Sequence, residues 1–453
     1  MGTAKHRSTS PAGGKVSAGG VVVSVSEPAY GVAESVGIRC QTAPMPDGNP
    51  DANRPRESAP SAARDSTGGQ STGGQSTGEQ STGEQSPREQ TTPPNGRPTR
   101  VAIVGLEHPH AFGIAFALQG AGADIVSFCS ARPDDDLMVS GFGELFPTAT
   151  KRADIHAILA NDAVDVVVPV AIPCDRCHDA RVALGAGRHV LADKPIAIDQ
   201  AQLNSLRAAT AASGETGESA TTKPVFGVWF SERFESRATG RAIELVADGA
   251  IGDLVEVIGL GPHRLSAESR PEWFFDASRA GTLLTDLMTH QVDQFLHLAT
   301  ISGHDPASVR VVNAQQHLHH GGTLAVAGAS LAGFTDHASI DLQAGKLSAY
   351  LRVDWLSPAG LDTWGDVRLM LTGTAGSIEV RKNIDLASPT PGGDHLLLAN
   401  GDGVERVDCA DVALPHATAF LDACRGEPTW FANPDHTFRV LELCLDAARI
   451  AAG

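Results

Sequence analysis

The run Val101-Ala-Ile-Val-Gly-Leu-Glu-His-Pro-His110 begins the ordered part of the chain and decides its fold. Four apolar residues followed by glycine are typical of a short buried strand, and a helical pattern continues from His110 to Gln119. Further strands are predicted at 123–130, 164–170 and 189–192, with helices at 179–187 and 199–212 between and after them. This alternation predicts βαβ units, a parallel sheet, and ligand binding where the strands end.

The pattern changes after the polar stretch of residues 212–223. Strand-like segments now outnumber helices, which predicts an α+β domain with a large open sheet, mixed or antiparallel. Helices are expected near 237–247, 281–299 and 434–452. Strands are expected at 225–230, 254–259, 309–315, 338–341, 347–355, 367–372 and 377–381. We therefore assign an α/β domain of the Rossmann type to residues 100–222 and the α+β domain to residues 223–453.

Residues 1–99 have a different composition from the rest of the chain. They contain no Leu, Phe or Trp, and a five-residue unit repeats from Ser66 onward as STGGQ and its variants. Such a segment buries too little apolar surface to offset the entropy lost on ordering, so a disordered tail is predicted.

The formal net charge of −18 argues against nucleic acid or an anionic membrane as a partner. No run of about 18 apolar residues is present, which argues against a membrane span. The N-terminus lacks a hydrophobic signal core. Together with seven scattered cysteines, these features favour a soluble protein of the cytoplasm.

The turn after the first strand has the context of a pyrophosphate-binding loop. Its glycine pattern is incomplete, because Glu107 and His110 replace the later glycines. Candidate cofactor contacts in this turn are Gly105, Leu106, His108 and His110. After the second strand, Ser130 and Arg132 stand where NAD enzymes carry an acid, which favours the 2′-phosphate of NADP. The acids at 134–136 leave NAD open.

A second group of candidate residues lies far along the chain. In Gly281-Thr-Leu-Leu-Thr-Asp-Leu-Met-Thr-His-Gln-Val-Asp293, Asp286 and His290 are four residues apart in a helical pattern, which predicts one shared helix face. A carboxylate there can orient an imidazole for proton transfer. Lys194 follows a predicted strand end and completes the candidate catalytic set. The alternative is a buried helix whose histidine belongs to a satisfied structural network.

These motifs together resemble the Gfo/Idh/MocA family, over roughly residues 100–450. The family's Glu-Lys-Pro motif matches Asp193-Lys194-Pro195, and its later glycine–Asp–His–Asp motif matches Gly281, Asp286, His290 and Asp293. The family's Pro-x-x-x-x-His matches Pro173 to His178, which explains the haem-like spacing of Cys174, Cys177 and His178 more simply than haem does. Gly373-Thr-Ala-Gly376 resembles a further family strand. Asp193 in place of Glu and the incomplete glycine turn are departures.

The resemblance implies an NAD(P)-dependent oxidoreductase that transfers a hydride between nicotinamide and a secondary alcohol or ketone of a sugar, inositol or related polyol. It adds Pro173, His178, Asp193 and Lys194 as cofactor contacts, and we expect Arg233, His263, Arg264 and Trp273 to bind the substrate. It also implies a homo-oligomer, a dimer or tetramer, formed through the open sheet. No metal site is expected. An NAD-assisted glycosidase or lyase and a non-catalytic ligand sensor remain alternatives.

Overall fold

The computed structural model describes residues 97–213, 223–320, 331, 333–387 and 392–453. Most of the expected disordered tail, 1–99, lies outside these residues, as does most of the polar stretch 212–223. The last residues of the expected tail are held by the folded body. Arg97 forms two hydrogen bonds with the carboxylate of Asp165, at 2.7 and 2.8 Å, and the carbonyl of Thr99 accepts from the N–H of Asp124 at 2.8 Å. Residues 97–99 are therefore part of the folded body.

In the described part of the chain, six parallel strands form the first sheet, in the order β3-β2-β1-β4-β5-β6. The strands are β1 Arg100–Val104, β2 Asp124–Cys129, β3 Thr150–Lys151, β4 Val166–Pro169, β5 His189–Asp193 and β6 Phe226–Trp229. The helices between them are α1 His110–Gly120, α2 Leu137–Leu145, α3 Ile155–Asn161, α4 Pro173–Gly185 and α5 Gln200–Ala212. The predicted Rossmann domain is confirmed, and its strand order puts the ends of β1, β4 and β5 side by side.

The expected boundary at residue 223 falls before the last strand of this sheet. β6 pairs in parallel with β5 over Val190–Asp193, although the expected boundary places its residues in the second domain. Composition places a boundary at the polar stretch, whereas strand pairing is a long-range property that composition does not record.

The second sheet has eight strands within the described residues, in the order β14-β13-β12-β11-β7-β10-β9-β8. Its strands are β7 Leu254–Pro262, β8 Arg310–His317, β9 His337–Ala344, β10 Leu347–Asp354, β11 Arg368–Gly373, β12 Gly376–Arg381, β13 His395–Asn400 and β14 Gly403–Val407. All pairs are antiparallel except β7 with β10. The predicted mixed sheet is confirmed, although the sequence analysis missed β13 and β14.

Helices cover one face of the second sheet. The helices of this half are α6 Ser231–Phe234, α7 Arg237–Ala247, α8 Ala277–Ala280, α9 Met288–Ile301, α10 His416–Cys424 and α11 Asp435–Ala451. α9 lies so close to β7 that a Cβ at Gly259 would stand 2.5 Å from Oε1 of Gln291. This close approach fixes α9 against the sheet. No helix among the described residues is both long and apolar enough to cross a bilayer.

Candidate active site

The end of β5 is the centre of a buried charged cluster. Asp193, the last residue of β5, is 1% exposed, and its carboxylate lies 2.8 Å from Nδ1 of His110 and 2.9 Å from the guanidinium of Arg176. Burial opposes ionisation of Asp193, but Arg176 and His110 outweigh it and hold its pKa below the usual range. Arg176 also donates to the carbonyl of Lys194. The backbone that presents Lys194 is thereby fixed from two other elements, α1 and α4.

Lys194 reaches across to the second half of the chain. Its Nζ lies 2.9 Å from Oδ1 of Asp286, with the lysine 6% and the aspartate 21% exposed. Asp286 lies in the turn that precedes α9, because that helix begins at Met288 and not near 281 as predicted. In this turn the hydroxyl of Thr285 accepts from the N–H of Thr282 at 2.9 Å. A local side-chain hydrogen bond of this kind competes with helical backbone bonding and delays the helix start.

His290 lies in the first turn of α9 and is 2% exposed. Its Nδ1 is buried and has no hydrogen-bond partner among the described residues. Asp286 bonds Lys194 rather than His290, so the expected orienting contact along one helix face is not formed. Burial, followed by the charges of Lys194 and His110, holds the pKa of His290 well below its usual range. The imidazole is therefore neutral near neutral pH and offers a buried lone pair or N–H.

A cavity of about 180 Å³ opens beside Lys194. The structure brings together eight of the predicted site residues in its wall: His108, His110, Pro173, Lys194, His263, Arg264, Trp273 and Asp286. His290 is not in the wall, but Lys194, His110 and His263, whose charges lower its pKa, all are. The cavity thus joins the Rossmann strand ends to the second half of the chain.

Arg233 and His178 are among the predicted residues that do not line the cavity. Arg233 is 3% exposed and binds both carboxylate oxygens of Asp293 at 2.7 Å, while His436 contacts the same carboxylate at 2.8 Å. The guanidinium of Arg233 is taken up by a buried ion pair outside the cavity wall, and its substrate role stays a prediction. His178 is exposed on α4 and does not line the cavity either.

Arg176, Arg270, Trp355 and Trp364 are among the wall residues that were not predicted. Arg176 lies in the Cys-x-x-Cys-His stretch, one helical turn after Pro173, and only the cysteines and the histidine of that stretch were considered as candidates. Arg270 stands three residues before the predicted Trp273. Trp355 and Trp364 come from the end of β10 and the segment after it. Helical spacing from Pro173 could have indicated Arg176. The two tryptophans lie near the cavity because of how the second sheet is assembled, which the sequence pattern does not show.

The turn after β1 shows how far the chain fits a dinucleotide. Gly105 has φ +91°, and a Cβ there would stand 2.3 Å from the backbone nitrogen of Ala171, so this position requires glycine. Leu106 is fully buried. Oε2 of Glu107 is buried without a hydrogen-bond partner among the described residues. Burial raises the pKa of the Glu107 carboxyl. The turn has a position that requires glycine, as expected of a pyrophosphate-binding loop, but it carries an acid within it.

The candidate cofactor contacts at the end of β2 are Ser130 and Arg132. The N–H of Arg132 donates to Oγ of Ser130 at 3.1 Å, and the guanidinium contacts Asp136 at 3.0 Å and the carbonyl of Glu107 at 3.4 Å. Arg132 thus links the β2 end to the β1 turn. Nε of Arg132 is buried and has no acceptor in the described part of the chain. The donors suit a phosphate or ribose oxygen, although Asp136 competes for them.

The residues that surround Asp193 also have metal-ligand character. Ligand atoms of His108, His110 and Asp193 lie within 4.8 Å of one another. Burial, with a contribution from His110, holds the pKa of His108 well below its usual range, so that ring is neutral. However, the guanidinium of Arg176 lies 2.9 Å from the Asp193 carboxylate and opposes a second cation there. The expectation of no metal stays a prediction.

Comparisons with known proteins bear on the second half of the chain and on the whole fold. A family model described as the GFO/IDH/MocA C-terminal domain matches residues 240–379. No curated protein sequence matches the chain significantly.

Several solved structures share the fold. A protein from Erwinia carotovora atroseptica SCRI1043, named as an oxidoreductase, is 30% identical, with a TM-score of 0.69 over 78% of this chain and 98% of that one. An oxidoreductase from Agrobacterium radiobacter, solved with NAD⁺, L-tartaric acid and magnesium, is 15% identical (TM-score 0.59; 78% and 96% covered). An aldose–aldose oxidoreductase from Caulobacter crescentus, solved with glycerol, is 18% identical (TM-score 0.60; 79% and 98% covered).

Proposed function

This chain belongs to the GFO/IDH/MocA family of oxidoreductases, and we propose that it transfers a hydride between a nicotinamide dinucleotide and a secondary alcohol or ketone of a sugar, inositol or related polyol. The observation that carries the proposal is the contact between Lys194 and Asp286 in the wall of one cavity. It joins a Rossmann strand end, where cofactors bind, to the domain that would hold a substrate.

The proposed chemistry divides between cofactor and protein. Nicotinamide, when bound, supplies the hydride acceptor or donor. Lys194 and Asp286 orient the substrate hydroxyl at the cavity wall, and Lys194 or the neutral His290 exchanges the hydroxyl proton. Burial keeps His290 in the neutral form, which can accept a proton, but the lowered pKa also makes it a weaker base than an exposed imidazole.

The residues proposed to hold the cofactor lie along one edge of the first sheet. They are Gly105, Leu106, His108, His110, Ser130, Arg132, Pro173, Asp193 and Lys194. His178 is a weaker candidate, because it is exposed away from the cavity wall. Arg132 supports the preference for NADP, whereas its contact with Asp136 supports NAD. Glu107 has to be protonated or turn away when a pyrophosphate binds, because two anions would otherwise meet.

A non-catalytic ligand sensor is the second candidate, and Glu107 is the observation that favours it. A buried acid in the pyrophosphate turn would weaken the binding of any dinucleotide. The intact set of Lys194, Asp286 and His290 favours the enzyme instead. The test is a fluorescence titration of the full chain with NADPH and with NADH. Binding of neither at millimolar concentration would leave the sensor as the better account.

Turnover is tested next, with NADP⁺ or NAD⁺ and a panel of sugars, inositols and sugar acids. Accumulation of reduced nicotinamide with at least one compound is expected. Product that forms without net reduction of the cofactor would instead indicate the glycosidase or lyase alternative, in which the cofactor is oxidised and reduced within one cycle.

We also propose that the open face of the second sheet forms a homo-oligomer. Strand register places Ile258, Tyr350 and Met370 in one row on the face away from α9. Tyr350 and Leu397 are each 39% exposed on this face, and Glu379 lies between Met370 and Leu397 in the same row. An exposed row of apolar side chains on a broad sheet is typical of a surface that another chain covers.

A further inference from the structure

The wall of the cavity carries more cations than acids. Arg176, Lys194, Arg264 and Arg270 line it, against Asp286 in the wall and Asp193 behind it. The chain as a whole has a formal charge of −18, so a cationic cavity is the opposite of what its composition supplies. A local excess of positive charge in a partly closed cavity raises the concentration of anions there.

The two inner cations are matched by the two acids. Arg176 contacts Asp193 at 2.9 Å, and Lys194 contacts Asp286 at 2.9 Å. These pairs use both carboxylates of the site. Arg264 and Arg270 add two further cations to the wall of the cavity.

Neutral groups hold Arg264 in place. Its guanidinium donates to the backbone carbonyls of Thr363, at 2.8 Å, and of Leu361. Nε of Arg264 is buried without an acceptor among the described residues. A guanidinium fixed by carbonyls keeps its full charge, because carbonyls orient the group without neutralising it.

Arg270 is positioned by aromatic rings. Its Nε donates to the carbonyl of Leu265 at 3.0 Å, and its guanidinium lies over Phe274 at 4.6 Å and over Trp355 at 5.4 Å. Its charge contributes to the low pKa of His108, which lies on the Rossmann side of the cavity. Arg270 is therefore a preorganised cation that faces the same space as the candidate catalytic residues.

An aromatic surface accompanies the two arginines. Trp273, Phe274, Trp355 and Trp364 line the cavity, and the ring of Trp364 packs at 4.3 Å from that of His263. Flat aromatic faces beside polar groups suit a carbon skeleton that carries hydroxyls. The wall thus combines a surface for the skeleton with a charged end.

We propose that Arg264 and Arg270 form an anion subsite, so that the substrate is a polyol bearing a carboxylate or phosphate group, such as a sugar acid or a sugar phosphate. The anionic group lies at the two arginines, while the hydroxyl that reacts lies at Lys194 and Asp286. Guanidinium groups suit both anions because their N–H groups match two oxygens at once. The identity of the reaction rests on the proposed function, whereas the charge preference is a property of binding alone.

The test is a titration of tryptophan fluorescence in the full chain without cofactor, since Trp273, Trp355 and Trp364 all line the cavity. D-glucuronate and D-glucose 6-phosphate are compared with D-glucose. Saturable changes at concentrations about tenfold or more below those needed for glucose are expected for at least one anion. The stronger of the two identifies the carboxylate or the phosphate as the preferred group. Equal responses to all three would overturn the subsite.

Variants assign the preference to a residue. Arg270→Met removes the charge but keeps an apolar chain against Phe274, and it should weaken anion binding about tenfold while glucose binding stays the same. Arg270→Lys should restore part of the loss. Arg310→Met, on the exposed strand β8, is the matched control and should change nothing. Circular dichroism shows that each variant is folded. Unchanged anion binding in folded Arg270→Met would contradict the proposal.

The two proposals fail in different ways. Anions that bind through Arg270 without any reduction of nicotinamide would leave the subsite standing and remove the redox function. Neutral polyols that reduce nicotinamide as efficiently as their acids, with Arg270→Met unaffected, would keep the function and remove the subsite.

Discussion

Nζ of Lys194 lies 2.9 Å from Oδ1 of Asp286, although 92 residues separate them in the chain. The first residue follows the end of β5, and the second lies in the turn before α9. This contact joins the two halves of the molecule at the cavity. The two residues are held in place by different contacts. Arg176 donates to the carbonyl of Lys194, and the hydroxyl of Thr289 donates to the carbonyl of Asp286 at 2.6 Å.

Replacing Lys194 should remove most turnover. Lys194→Met keeps the length of the side chain but loses the proton-exchanging group, so we expect kcat to fall about 10²- to 10⁴-fold. Lys346→Met, in the exposed turn between β9 and β10, is the matched control and should retain wild-type activity. Steady-state assays on whichever substrate is found give the comparison. A variant with near-normal kcat would remove Lys194 from the chemistry.

His290 should make the fold sensitive to mild acid. Its folded-state pKa lies well below that of the unfolded chain, chiefly because of burial. Above the unfolded pKa both states are neutral, so His290 contributes no pH dependence there. As pH falls below that value, the unfolded state binds a proton that the folded state rejects, and stability is lost by up to about 1.4 kcal/mol per pH unit.

His290→Asn should remove that part of the pH dependence. Urea unfolding at pH 7.5 and pH 5 measures it as the difference between wild type and variant, which cancels the other buried histidines. His156→Asn, exposed on α3, is the control and should follow the wild type. Parallel pH curves for wild type and His290→Asn would contradict the burial-driven shift.

Glu107 should weaken dinucleotide binding in a pH-dependent way. Glu107→Gln removes the anion from the pyrophosphate turn, so we expect NADPH to bind about tenfold tighter at pH 8. Because the pKa of Glu107 is raised, the wild-type affinity should rise as pH falls toward that pKa, and the difference from the variant should shrink. Fluorescence titration at two pH values measures both effects. Glu144→Gln, exposed on α2, serves as the control; weaker binding by Glu107→Gln would show that the carboxylate assists the cofactor.

Arg233 should matter for stability. Arg233→Met leaves the fully buried carboxylate of Asp293 without its guanidinium, which costs about 3–5 kcal/mol in the free energy of unfolding. Arg449→Met breaks an exposed pair with Asp446 and should change that free energy by less than about 0.5 kcal/mol. Chemical unfolding compares the two. If folded Arg233→Met kept wild-type stability and lost only substrate affinity, the structural role assigned here would be wrong.

The open sheet face should control oligomeric state. Tyr350→Glu places a charge in the exposed row of the second sheet and should dissociate the proposed homo-oligomer, because the charge would lose its water on burial. Leu386→Glu, at an exposed residue outside the strands, is the control. Light scattering after size-exclusion chromatography gives the mass. A monomeric wild type at micromolar concentration would exclude the oligomer directly.

Local sequence accounted for most of the elements. Apolar runs such as 101–104 and 164–170 predicted buried parallel strands, and the motif at 193–195 indicated the family. Sequence patterns predicted the structure less well where tertiary packing decides the arrangement. The apolar sequence of β6 would suit a strand of either sheet. Its pairing with β5 places it in the first sheet. The helical spacing of Asp286 and His290 predicted a contact between them, but the Asp286 carboxylate accepts from Lys194 instead.

The sequence by itself determined the fold class, the family and the identity of Lys194, Asp286 and His290 as candidates, because each depends on residue type and short-range spacing. The tertiary structure decided which side chains meet. Arg233 pairs with Asp293, and the cavity is lined by Arg176, Arg270, Trp355 and Trp364. Charge partners and pKa shifts depend on distances of a few ångströms between residues far apart in the chain, and those distances exist only once the sheets are assembled.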